Sequence, residues 1–346
     1  MMKKPQNSQE EEVALSSASG PVPPPGAEDV KFQDTQEPEG ILSDLAKTGA
    51  SDEDIVDSII QIPEAQLIPW EECTIPSKGM YYNWTSGVIQ VKAWGANVDK
   101  ILATSRLAQT GQSIDYMLAS CCKFPDGFEP TQLLVGDQIF LLYYLRGITH
   151  GNIYEFITTC PNPDCQATGA FTADLNELAE TIVWADESLG AEPFKVSLPY
   201  LSKKVGKDIW VALRYMRVAD SQYIIRQRRA TNRAVGRGGH ARVRKRQQKR
   251  LGAPQQEVQT GQIDIDDSLM KNLETIVVSA LGVEDRFKIR AFVDKLHSSD
   301  LAVIREWLRD HSPGIDTQVE LNCGECGNEF RVMLPITEAF FRPQVP

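Results

Sequence analysis

The chain has 346 residues, 42% of them apolar and 24% charged, a net charge of −11 and seven cysteines. That composition fits a soluble globular protein with room for one large or two medium domains. No uninterrupted apolar run approaches the roughly 18 residues of a membrane helix, and an odd cysteine count without a signal sequence points to synthesis and folding in the cytoplasm rather than to disulfides.

Charge is unevenly spread. Residues 1–64 hold fourteen acids against four lysines, or −10. Residues 226–250 hold eleven arginines and lysines and no acid, so everything outside them must sum to −22 to give the whole chain its −11. Segments of opposite sign can attract each other or partners of the opposite charge.

In chain order, residues 1–66 read as a disordered acidic tail. Glu10-Glu11-Glu12 and Pro21-Val22-Pro23-Pro24-Pro25 typify a stretch that buries too little apolar surface to offset the entropy of ordering. Within it Ser51-Asp52-Glu53-Asp54 resembles a capping box, and Ile55, Ile59 and Ile62 follow on one helical stripe. This is either a short helix covering the chain's own core or a docking helix for another subunit.

Residues 67–190 make a first α/β half, with order beginning at Trp70. Ile75–Tyr82 and Gly87–Trp94 read as paired strands, and helical patterns follow at 98–108, 112–123 and 131–147. The last is apolar nearly all round, which marks a buried helix. Residues 191–346 make a second half. Phe194–Pro199 leads through a Gly/Lys turn to Ile209–Tyr215, and a helix starts near Ala219. The basic arm 226–250 follows, broken at Gly236 and Gly238-Gly239. Helices are predicted at 266–281, 284–296 and 299–311, with Gly282 and Gly314 as stops and Ser299 as a cap.

Each half ends in a cysteine pair between two strand-like runs: Cys160 and Cys165 in Cys-Pro-Asn-Pro-Asp-Cys, and Cys323 and Cys326 in Cys-Gly-Glu-Cys. A cysteine pair at a hairpin tip, with Gly or Pro in the turn, is half of a zinc ribbon, and two halves supply the four thiolates of a closed structural zinc site. The four-residue gap of the first pair is wide for such a site. A redox dithiol normally opens a helix after a strand, whereas strand-like residues follow here; unrelated core cysteines are the plainer alternative. Cys121 and Cys122 read as buried packing, and Cys73 has no assigned role. The fold class is therefore α+β: helices with short β-hairpins, a degenerate internal duplication closed by a zinc-ribbon-like site of four cysteines.

Enzyme signatures are missing. His150, His240, His297 and His311 are not spaced for a catalytic metal, and no Walker loop or nucleophile elbow occurs. Val235-Gly-Arg-Gly-Gly-His240 follows no strand and is no dinucleotide turn. Asp264, Asp266 and Asp267 read as first-turn acids of the next helix. The arm 226–250 suits contact with an acidic protein surface; without interleaved aromatics it offers phosphate contact but no base stacking, and the −22 elsewhere opposes nucleic acid.

Ile75–Tyr82, the run Leu133–Phe156 leading into the Cys160 pair, and the terminal Leu334-Pro-Ile-Thr-Glu-Ala-Phe-Phe-Arg-Pro343 resemble the T-even-type bacteriophage baseplate hub and baseplate-assembly family. The acidic tail and the arginine-rich segment depart from that pattern. The resemblance implies a non-catalytic structural or assembly protein of a contractile-tail baseplate, located in the virion tail near the hub. Its partners would be other baseplate and hub subunits and the tape-measure or tube proteins. A zinc-ribbon nucleic-acid-binding or transcription-associated protein is the alternative, and a transient assembly chaperone is a third.

Overall fold

A computed structural model of the protein describes residues 56–57, 60–61, 67–104, 111–237 and 268–342. The capping box 51–54, the stripe Ile55/Ile59/Ile62, residues 238–250 of the basic arm, His240, and Asp264, Asp266 and Asp267 lie outside these residues.

Strands β1 (Glu71–Thr74), β2 (Val88–Val91) and β3 (Cys122–Lys123) form an antiparallel sheet in that order. Cys73 pairs with Ile89, and Val91 with Cys122. The partner of β2 is thus residues 71–74 and not the predicted 75–82. Pro76 has no ladder donor, and Lys78 and Gly79 take positive φ of 52° and 72°, so this stretch turns instead of pairing. Helix α1 spans Ala96–Leu102, and α2 (Gln112–Cys121) runs straight into β3. Residues 130–132 form a 3-10 turn with a Glu129/Gln132 capping box, so α3 begins at Val135 and ends at His150. It is buried continuously from Phe140 through Ile148, as its nearly all-round apolar pattern predicts.

A second antiparallel sheet holds β6 (Phe194–Ser197), β7 (Trp210–Leu213) and β8 (Val277–Ala280). Its β6–β7 connection contains a short helix, α4 (Pro199–Val205), whose first backbone amides, at Tyr200 and Leu201, donate to the buried carboxylate of Asp300. The long helix α5 runs from Val218 to Arg237, straight through Gly236. The predicted helix 266–281 is two elements. Helix α6 (Ser268–Ile276) stops where β-branched Val277 and Val278 begin; Val277 pairs with Leu213 of β7, and Val278 falls at the irregularity before Ser279 pairs with Ala212. Helices α7 (Arg286–Val293) and α8 (Ser298–His311) follow. His297, not Ser299, caps α8, its Nδ1 accepting the Ser299 amide. Val196, Val211, Leu213, Leu273, Val277, Val293 and Ile304 share this region's core.

Two hairpins complete the fold: β4–β5 (Ile153–Thr159 with Thr168–Asp174) and β9–β10 (Gln318–Asn322 with Glu329–Met333). One order therefore recurs: two strands, helices of which the last leads directly into a third strand, more helix, then a hairpin. Beyond β10 the chain returns to α3 and β4. Tyr143 and Tyr154 donate hydroxyl hydrogen bonds to the carbonyls of Leu334 and Pro335, at 2.9 and 2.7 Å. Phe340, fully buried in the short helix α9 (Glu338–Phe341), meets both tyrosine rings edge-on at 4.9 and 5.2 Å.

The first turn of α3 is pinned from two sides. A Cβ on Gly136 would sit 1.9 Å from the Pro313 carbonyl oxygen, so only glycine allows the segment after α8 to approach this closely. Asp137 is fully buried, accepting the Ser77 amide at 2.9 Å and the Tyr82 hydroxyl, while Tyr82 in turn accepts the Leu134 amide at 2.6 Å. Burial pushes the Asp137 carboxyl up to about 6 despite these bonds and the Arg217 charge. A carboxyl raised in the folded state binds a proton there before it does in the unfolded chain, so its contribution to stability grows as pH falls from 7 towards 4. Asp137→Asn lacks this gain. Its stability deficit against wild type, from denaturant unfolding, is expected to be larger at pH 4.5 than at pH 7.5, by on the order of 2 kcal/mol.

Candidate metal centre

The tips of β4–β5 and β9–β10 meet. Cys160, Cys165, Cys323 and Cys326 come together with their sulfurs all within 4.8 Å of one another, although the facing pairs are 158 and 166 residues apart. Cys160 Sγ lies 3.8 Å from Cys326 Sγ, and Cys165 Sγ 3.9 Å from Cys323 Sγ. For metal–sulfur bonds of about 2.3 Å, a regular tetrahedron has sulfur–sulfur edges of about 3.8 Å. The cluster fits one tetrahedral ion between four thiolates, a donor set that suits zinc or iron. Cys160 and Cys323 are buried, Cys165 half-buried and Cys326 exposed. Among the described residues these four are the one convergent set of metal-ligating side chains.

The unequal spacings 160/165 and 323/326 resolve when the tips are aligned on their second cysteines. Gln166 N donates to Asn162 O just as Gly327 N donates to Cys323 O, each a bond back four residues. Cys160 N donates to Ala167 O just as Cys323 N donates to Asn328 O, two residues past the second cysteine in each case. The residue after that cysteine has positive φ in both tips, 48° at Gln166 and 68° at Gly327. Asn162 thus occupies the backbone place of Cys323, and Cys160 reaches the cluster from two residues further back. The wide gap is an insertion into the same turn.

Backbone hydrogen bonds at Cys326 and Glu325 bring the Cys323 thiol down to about 7. At Cys165 the backbone at Ala167 favours the thiolate, yet burial and the thiols of Cys326 and Cys323 push it up to about 11. Four sulfurs this close cannot all ionise without a cation between them. A further contact was not foreseen from sequence: Asn162 Nδ2 donates to Cys326 Sγ across the two hairpins at 3.8 Å. Its only sequence signal is its place inside the first cysteine pair. Phe171 of β5 also meets Phe330 of β10 edge-on at 5.8 Å, so an apolar contact supports the junction.

The other candidates have structural places. Cys73, Cys121 and Cys122 are buried, and burial holds the thiols of Cys73 and Cys122 well above their usual range. His150 contacts the Phe341 carbonyl, His297 caps α8, and His311 Nδ1 lies 2.8 Å from the Trp307 carbonyl. None of these three joins another histidine.

A family model described as "T4 bacteriophage base plate protein" matches residues 70–342 of the chain. No curated protein and no solved structure matches it.

Serine at Cys160, Cys165, Cys323 or Cys326 is expected to abolish stoichiometric metal binding. It should also lower the thermal midpoint by roughly 10 °C, as the loss of about 3–5 kcal/mol would in a domain of this size. A strong chelator should bring wild type to the same midpoint. Cys73→Ser should keep its metal and lose only the roughly 1–3 kcal/mol of a hydroxyl buried without a dedicated partner.

Proposed function

We propose a structural, non-catalytic role that proceeds from one premise: the chain belongs to the T4 bacteriophage base plate protein family. That match carries the reading, because it spans both cysteine hairpins and the chain's return onto α3, so the metal cluster lies inside the family module. Residues 1–69 lie outside it. The protein acts as a structural or assembly component of a contractile-tail baseplate, in the hub region, made in the host cytoplasm and carried in the virion tail. It contacts other baseplate and hub subunits and the tape-measure or tube proteins.

In this reading Cys160, Cys165, Cys323 and Cys326 hold one structural zinc. The tetrahedral fit of the sulfurs supports it, as does the pair of matching hairpin tips, each of which supplies half of a ribbon-type site. A zinc with four thiolates has no open position for water, in keeping with a part that bears load and catalyses nothing. It joins the middle of the chain to its last hairpin and restricts their relative movement. The basic segment 226–250 makes salt-sensitive contacts with an acidic protein surface, since electrostatic complementarity raises association rates and rejects wrong partners.

Elemental analysis of protein purified without added metal should give one zinc per chain; substoichiometric zinc with reduced, unmodified thiols, or iron in its place, rules out the zinc assignment. Phage lacking the protein should accumulate tail-less heads or incomplete baseplates, and mass spectrometry of mature tails should contain the chain. Normal tails in the knockout, with failure instead in gene expression or genome packaging, would overturn the baseplate role.

A further inference from the structure

Every polar group of Asn162 is committed. Its backbone N–H donates to the Cys160 sulfur, and its carbonyl accepts the amides of Cys165 and Gln166, each at 3.0 Å. Its Oδ1 accepts the Asp164 amide, also at 3.0 Å. That last bond fixes which end of the carboxamide points where. With the oxygen held inside its own tip, the NH2 group faces the other hairpin and donates to Cys326 Sγ at 3.8 Å. Pro161 and Pro163 flank the residue, and their locked φ angles leave the tip little freedom to swing the donor away.

The four sulfurs are served differently. Cys160 receives the Asn162 amide, Cys165 the Ala167 amide, and Cys323 the amides of Cys326 and Glu325, all from the backbone of their own tips. The N–H that reaches Cys326 comes instead from a side chain of the opposite tip. Cys326 is also the exposed member of the set. Four thiolates outweigh the charge of a divalent cation, and each N–H bond draws some of the excess off its sulfur. The thiolate is the reactive form of cysteine. An exposed thiolate is therefore the ligand that an electrophile or a competing chelator meets first.

We propose that Asn162 controls how readily this centre exchanges its metal: the carboxamide orients and partly neutralises Cys326, the ligand at which metal release and thiol modification begin. The proposal rests on the metal reading of the four cysteines and gives Asn162 a role beyond shaping its turn. It also accounts for the alignment of the two tips. Asn162 stands at the backbone place of Cys323, so a side chain from that place is well set to reach the cluster. Loss of such an outer partner of a metal ligand typically costs about 10–100-fold in affinity.

The test uses the full-length, zinc-loaded chain, and Asn162→Asp is the decisive variant. It keeps the Oδ1 that accepts the Asp164 amide, and with it the turn, but sets a negative oxygen against Cys326 where the donor was. Asn162→Ala removes both bonds. Both variants should keep stoichiometric zinc in the absence of competitors. Transfer of zinc to an excess of chromogenic chelator should be about tenfold faster than in wild type, and iodoacetamide should modify Cys326, located by mass spectrometry, about tenfold faster. With cobalt(II) in place of zinc, the sulfur-to-metal charge-transfer band should move to longer wavelength in both variants, because a thiolate stripped of a hydrogen bond gives up its electrons more readily. Wild-type release, alkylation and spectrum in N162D overturn the inference and leave Asn162 to the turn alone. Faster alkylation spread evenly over the four cysteines also overturns it, being the mark of tips that have come apart. A wild type that binds no metal fails differently: it removes the metal centre itself, and this role with it, before any variant is compared.

Discussion

Closure of a very long loop is the constraint on which the rest of this structure depends. The two cysteine tips face each other from positions 158 and 166 residues apart. Closing a loop of about 160 residues removes roughly 5 kcal/mol of chain entropy on the scale used for cross-links. A bare cluster of four thiols, with mutually opposed ionisation, would not hold such a loop. The opposing terms are visible beside it: the Phe171–Phe330 contact at the junction, and the return of residues 334–341 onto α3 and β4 through Tyr143, Tyr154 and Phe340. An ion shared by the four sulfurs, as proposed, would add to this packing and set the geometry of the tips.

The recurring element order explains why such a closure is available at all. In both passages a helix delivers the chain directly into a third strand, at Cys121–Cys122 and at Ile276–Val277, and a further helical segment then carries it to a hairpin. Two equivalent hairpins at equivalent places can meet tip to tip, each giving two ligands. Departures from the plan are local. Helix α4 is inserted between the second pair of strands, and two residues are inserted before Asn162 in the first tip, without disturbing the bonds that shape the turn.

What the sequence revealed and what it concealed divide along physical lines. The cysteine cluster was legible because a tight tip is local: spacing, Gly or Pro, and flanking alternation all lie within about a dozen residues. The buried helix α3 was legible because its apolar residues face every direction. Strand β8 was not, since Leu269 to Val278 also satisfies a helical period; only the adjacent β-branched valines hint at pairing, and β7 decides the matter. Strand β1 was displaced because Ile75–Tyr82 has strand-like residues yet contains Pro76 and a left-handed Lys78-Gly79. The role of Asp137 was invisible, because its partners at Ser77 and Tyr82 are 60 and 55 residues away.

The docking of residues 334–341 also has a consequence for the order of events during synthesis. Tyr143 and Tyr154 lie in the interior only because Leu334, Pro335 and Phe340 cover them and accept or meet their polar and aromatic groups. These partners are translated about 180 residues later. The core around α3 therefore cannot finish folding on the ribosome while the second sheet is being made; it waits, partly open, for the last hairpin to emerge. A ribosome that stops between residues 200 and 330 releases a chain with its aromatic core uncovered, a species for chaperones or proteases, never a smaller working part.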